Sequence, residues 1–141
     1  MRLRAKFRRT LYCAFSALLL SGCAWLAADQ LKDSDAGDLW QDAGTYLLML
    51  HGGAAMLALM LLGALVPLHV SPSWRSRRNR IVGGAMAALN AALILTAFGL
   101  YYAGADWLRT FASDAHIGLG LALPFLWLIH VMAGWRGSAR R

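Results

Sequence analysis

Four long apolar stretches alternate with short polar ones along this chain. Residues 10–28, 46–69, 81–105 and 112–134 are each 19 to 25 residues long and contain no Lys, Arg or Glu. A helix rises about 1.5 Å per residue and a hydrocarbon core is about 30 Å thick, so each stretch matches one crossing. Lipid offers no partner to an unpaired backbone group, which makes helix the default. The pattern predicts an all-α membrane protein with four transmembrane helices in an up-down bundle. Short connections set sequence neighbours antiparallel, and residues 1–141 form a single transmembrane domain. Residues 29–44 read as an acidic external loop, with breaks at Gly37 and Gly44. Residues 70–80 read as a short turn, with Pro67 and Pro72 ending the second helix near His69. Residues 106–111 read as a small interfacial helix.

Composition supports this pattern, and charge adds a direction. The chain is 59% hydrophobic and 15% charged, too apolar for an ordinary soluble domain of 141 residues. Arg2, Arg4, Lys6, Arg8 and Arg9 precede the first stretch. Arg75, Arg77, Arg78 and Arg80 lie in the second connection, and Arg136, Arg140 and Arg141 in the tail. These are 12 of the 14 basic residues, while the seven acids, all Asp, fall in or beside the other two connections. The bias of Lys and Arg toward the cytoplasmic side then predicts that both termini are cytoplasmic. The formal charge of +7 follows from these flanks. It points to orientation and anionic head groups rather than to nucleic acid, since the arginines line no folded face. Trp40, Tyr46, Trp74, Tyr101, Tyr102, Trp107 and Trp135 fall near the predicted helix ends, where amphipathic rings favour the interface.

The first stretch has a rival reading. Leu20-Ser21-Gly22-Cys23 looks like a lipobox after a basic, then apolar, leader, so Cys23 is a candidate lipidation site. Apolar residues continue through Ala28 to a full spanning length, which favours an uncleaved helix. Cys13 and Cys23 are ten residues apart, about 15 Å along one helix, too far to bridge. No C-x-x-C-H is present, so covalent c-type haem attachment is excluded.

All four histidines lie in the second and fourth stretches: His51 and His69 in one, His116 and His130 in the other. Ionisable groups in hydrocarbon are costly and mark functional sites. At about 100° per residue, the 18-residue interval from His51 to His69 is a whole number of turns, and the 14-residue interval from His116 to His130 falls about 40° short of one face. Up-down topology places His51 level with His116 and His69 level with His130. The two levels are roughly 20 Å apart, which excludes one tetrahedral zinc site made of all four. Two opposed imidazoles suit the axial positions of a low-spin haem iron. Ala55, one turn inward of His51, and Gly120, one turn inward of His116, leave room for a flat macrocycle at the outer pair. Leu62, Leu123 and Trp127 fill the space between the levels, Trp127 as a core aromatic, whereas Leu65 and Trp127 crowd the inner pair.

Other polar and soft residues have plainer roles. Met49, Met56, Met60, Met86 and Met132 read as packing. Asn90 reads as an interhelical hydrogen-bonding group. Arg78, Arg80 and Arg109 are candidates to pair with haem propionates, although topology already accounts for them.

Six motifs resemble the membrane b-type cytochromes: His51-Gly52-Gly53-Ala54-Ala55-Met56, Leu68-His69, Arg78-Asn79-Arg80, Gly99-Leu100-Tyr101-Tyr102, His116-Ile117-Gly118-Leu119-Gly120 and Leu128-Ile129-His130. The likeness is to the di-haem cytochrome b subunits of bc complexes, hydrogenases and formate dehydrogenases, and to small stand-alone bacterial cytochromes. A closer likeness is to an uncharacterised four-helix bacterial membrane family. The resemblance spans residues 46 to 136. A ligand helix in those families usually spaces its pair as His116 and His130 are spaced, and the wider His51–His69 interval departs from that. The resemblance implies a multi-pass protein of the bacterial inner membrane. It implies two haems b, or one at His51 and His116, and exchange of electrons with a quinone and a redox protein. No flavin or nucleotide motif is present, which fits an electron-transfer subunit better than a self-contained enzyme. The competing expectations are a haem-free scaffold or assembly subunit, and a small proton-coupled transporter with histidines in a relay.

Overall fold

A computed structural model describes residues 4–76 and 79–139, with no side-chain description for 135–139. Arg2, Arg77, Arg78, Arg140 and Arg141 lie outside the described residues, as do the side chains of Trp135 and Arg136. The protein is all-helical, with no strand among the described residues. Its elements are α1 (Ala5–Leu31), α2 (Gly37–Leu65), a π-helical segment (Val66–Val70), α3 (Ser71–Arg75), α4 (Arg80–Tyr102) and α5 (Asp106–Ala139). Four helical stretches are long and apolar enough to cross a membrane: Ala5–Leu31, Gly37–Arg75, Arg80–Tyr102 and Asp106–Gly134.

The helices run past the expected bounds. Arg and Lys are good helix formers, so α1 starts within the basic arm at Ala5. The acidic loop contracts to residues 32–36, because Gly37 opens α2 and places Asp38 in its first turn, where an acid complements the helix dipole. Residues 106–111 are the start of α5 rather than a separate interfacial helix. Pro67 does not end the second crossing. Val66 donates normally to the Leu62 carbonyl, then the Ser71 N–H reaches the Val66 carbonyl in a five-residue turn, and helix continues to Arg75. A wider turn accommodates a residue that has no N–H to donate and whose ring crowds the preceding turn.

The chain divides into two compact units, residues 1–71 and 72–141. In the first, α1 packs on α2 along a seam of small residues. Ala14, Ser21 and Ala28 are the buried residues of α1, and Gly44 and Ala58 those of α2. Each set repeats at intervals of seven or fourteen, the spacing that keeps one face of a helix against a neighbour. Small side chains let two backbones approach closely. The turn is held by the Ser34 N–H and hydroxyl, both donating to the Leu31 carbonyl at 3.1 and 2.6 Å, and by the Gly37 N–H donating to Ser34 O at 2.9 Å. A Cβ on Gly37 would collide with the Lys32 carbonyl, so only glycine fits there. Lys32 caps α1 and meets Asp29 at 3.0 Å. That hydrogen bond, and then the carboxylate's charge, raise the Lys32 ammonium above its ordinary pKa.

In the second unit, Asn79 enters α4 in the left-handed region (φ 49°), which Asn tolerates better than most residues. Arg80 donates from Nε and Nη2 to the Trp74 carbonyl at 3.0 and 2.9 Å, and its guanidinium lies 5.4 Å from the Trp74 ring centroid. Between α4 and α5 the chain extends at Ala103, whose carbonyl accepts from Arg109 Nη2 at 3.4 Å. The helices touch where Gly99 faces the buried Ala112.

The apolar distribution is inverted relative to a water-soluble domain. Among the described residues the buried apolar side chains are alanines: Ala14, Ala28, Ala58 and Ala112. Large ones face outward, with Ile81 90%, Tyr46 72% and Leu95 70% exposed. Water would penalise so much open apolar surface, and lipid would not.

Candidate functional site

Within the first unit, His51 sits on α2 and its Nδ1 lies 3.0 Å from the Ser21 hydroxyl oxygen on α1. Among the described residues, Ser21 is one of five buried outright with a side chain, and it occupies the middle of the small-residue seam. Its Oγ is 2.6 Å from the Ala17 carbonyl and 3.2 Å from that of Leu18. Gly22 makes room for the ring. A Cβ there would stand 3.3 Å from His51 Cε1.

The second unit repeats the arrangement. His116 on α5 places Nδ1 2.9 Å from the Thr96 hydroxyl oxygen on α4. Thr96 Oγ1 is 2.9 Å from the Ala92 carbonyl and 3.1 Å from that of Leu93. Gly99, one turn along from Thr96, is a close approach of the two helices. Neither Ser21 nor Thr96 is an expected site residue. Each hairpin thus carries a hydroxyl on its leading helix and a histidine on its returning helix.

All four histidines are half-buried. His51 and His69 belong to the first unit and His116 and His130 to the second, so each expected pair takes one member from each unit. His69 lies in the π segment, and a turn wider than α advances fewer degrees per residue. The whole-number alignment with His51 therefore does not carry through to it. On α2, Ala55, Leu62 and Leu65 are half-buried and Ala58 is buried, so the expected stripe is the covered face. On α5, Gly120 and Leu123 are half-buried, and a Cβ on Gly120 would meet nothing within 4 Å. Pro124, in the middle of α5, cannot donate to the Gly120 carbonyl.

One expectation, that for Asn90, is corrected. Trp127 is 36% exposed. Asn90 donates from Nδ2 to the Met86 carbonyl of its own helix at 2.8 Å, not across to a neighbour. A short polar side chain in an apolar helix readily folds back in this way. Arg80 and Arg109 are engaged with backbone carbonyls of Trp74 and Ala103, while Arg78 lies outside the described residues. The methionines Met49, Met56, Met60 and Met132 are exposed on the apolar surface, and Met86 is half-buried. Cys13 and Cys23 are exposed, unbridged thiols on α1. A crevice of about 170 Å³ between the turn-side ends of α1 and α2 is lined by Trp25, Asp29, Lys32, Trp40 and Gln41 among others, and contains none of the histidines.

Among the described residues no three His, Cys, Asp or Glu side chains gather into a metal-binding group. A bis-imidazole site needs only two. The donor set fits such a site in its chemistry: imidazoles in apolar helices, those of His51 and His116 each with Nδ1 beside a hydroxyl, and no atom within 4 Å of where a Cβ on Gly120 would stand. Comparison with known protein families, with curated proteins and with solved structures returns no match.

Proposed function

We propose that the chain is an integral membrane b-type cytochrome that carries electrons between a quinone and a redox partner. The observation that carries this reading is the doubled histidine arrangement. In each of two hairpins, an imidazole inside an apolar helix is held at Nδ1 by a hydroxyl of the neighbouring helix. Orienting hydrogen bonds at the non-ligating nitrogen are what metal-bound imidazoles typically have.

In this reading His51 and His116 hold one haem b, and His69 and His130 a second. The pairing comes from their order along an up-down chain, and Ala55 and Gly120 are the small residues one turn from His51 and His116. The haem, when bound, supplies reversible one-electron chemistry at iron, and two imidazole ligands suit electron transfer rather than oxygen binding. The protein's part is to orient the imidazoles and keep water away. The surrounding bilayer is the bacterial inner membrane, with both termini cytoplasmic, as the Lys and Arg distribution favours.

The test is spectroscopic. Protein purified from haem-replete cells shows a reduced b-type absorption spectrum, and His116→Ala loses at least one haem. Undiminished haem in that variant removes His116 from the site. A colourless protein favours a haem-free scaffold, and pH-driven uptake by such a protein favours the transporter.

A further inference from the structure

We infer that Ser21 and Thr96 are positioning residues that lock His51 and His116 in one tautomer, with the proton on Nδ1 and the lone pair on Nε2. The metal half of this inference rests on the function proposed above; the tautomer half does not.

The direction of each hydrogen bond follows from proton counting. A serine or threonine hydroxyl has one proton to donate and lone pairs to accept with. Ser21 Oγ lies 2.6 Å from the Ala17 carbonyl oxygen, which can only accept, so the hydroxyl proton points there. Toward His51, 3.0 Å away, Ser21 is then the acceptor and Nδ1 the donor, and the Leu18 carbonyl, 3.2 Å from Ser21 Oγ, also hydrogen-bonds this ring. The same count holds in the second unit. Thr96 Oγ1 gives its proton to the carbonyls of Ala92 and Leu93, at 2.9 and 3.1 Å, and accepts from His116 Nδ1 at 2.9 Å. A neutral imidazole carries one N–H, so in both rings Nε2 is the basic nitrogen.

Two consequences follow. The ring is pinned about its χ torsions by a hydroxyl that is itself tied to the helix backbone, so a ligand bond through Nε2 needs little reorganisation. An acceptor at Nδ1–H also makes Nε2 a stronger donor to a metal. The simpler alternative is a polar group that only needs a partner in an apolar seam. It makes no demand on which nitrogen holds the proton, and here the two readings separate.

The experiment uses the full-length protein, ¹⁵N-labelled at histidine, in detergent micelles without haem at about pH 8, where an ordinary imidazole is neutral. Signals are assigned with single His→Gln variants. His51 and His116 are expected as the Nδ1–H tautomer. Ser21→Ala moves His51 alone to a mixture or to the Nε2–H form, and Thr96→Val does the same to His116. Thr96→Ser, which keeps the hydroxyl, restores the wild-type pattern and controls for misfolding. An Nε2–H tautomer in the wild type, or variants that leave it unchanged, overturns the lock. In haem-loaded protein each hydroxyl deletion is expected to weaken haem retention about 10- to 100-fold. A confirmed lock in a protein that takes up no haem would defeat the cytochrome reading and the metal half together, while leaving the tautomer assignment standing.

Discussion

Gly22 and Gly99 both sit at helix contacts, yet they predict different responses to an added methyl. At Gly99 the new Cβ would lie 3.1 Å from the Ala112 Cβ, and both atoms are fixed to backbone. The helices themselves would have to part, so Gly99→Ala should destabilise by about 1–3 kcal/mol, the usual cost of overpacking. Thermal unfolding in detergent checks it. At Gly22 the new Cβ meets the edge of the His51 ring, which can turn. Gly22→Ala should cost little stability but should disturb the Ser21–His51 hydrogen bond, visible in the same histidine ¹⁵N spectrum. At this scale the histidines were legible because ionisable groups stand out in apolar sequence. Ser21 and Thr96 were not, because isolated hydroxyls are common in apolar helices. Folding each hairpin back on its turn would have found them. Residue numbers facing across the first seam sum to about 72, which matches Ser21 to His51 and Ala28 to Gly44.

Among the elements, the segment Val66–Val70 is the most informative departure from a regular helix. The apolar pattern made four helices legible, since a run without charge is visible whatever its ends do. The ends were not legible, because Arg, Lys and Asp residues that read as loop extend the helices instead. Pro67 invited a helix stop, yet tertiary continuity through a π turn won. That turn sets the direction of His69. Pro67→Ala restores a donor to the Gly63 carbonyl and should convert the segment to α, rotating His69 about the helix axis. On the proposed function, the variant retains the haem held by His51 and His116 and loses or alters the second one. An unchanged spectrum and stoichiometry would show that the π turn does not orient His69.

For the whole molecule, the governing facts are apolar outer faces over alanine-lined seams and a clustering of basic residues in the N-terminal arm, the second connection and the tail. Both were legible in the sequence, because long apolar runs and clustered charge leave large signatures. The division into two helical hairpins was not, since no internal repeat is visible in the sequence. The charge distribution makes a separate prediction. Alkaline phosphatase fused after Ser34 or Gly104 should be active, and fused after Ser76 inactive, because the enzyme matures only outside the cytoplasm. The opposite pattern would invert the topology. The most direct measurement of the account's central claim is haem per chain, by pyridine haemochrome on protein purified from haem-replete cells. One or two b-type haems per chain are predicted, and a protein free of haem and iron would contradict the cytochrome reading.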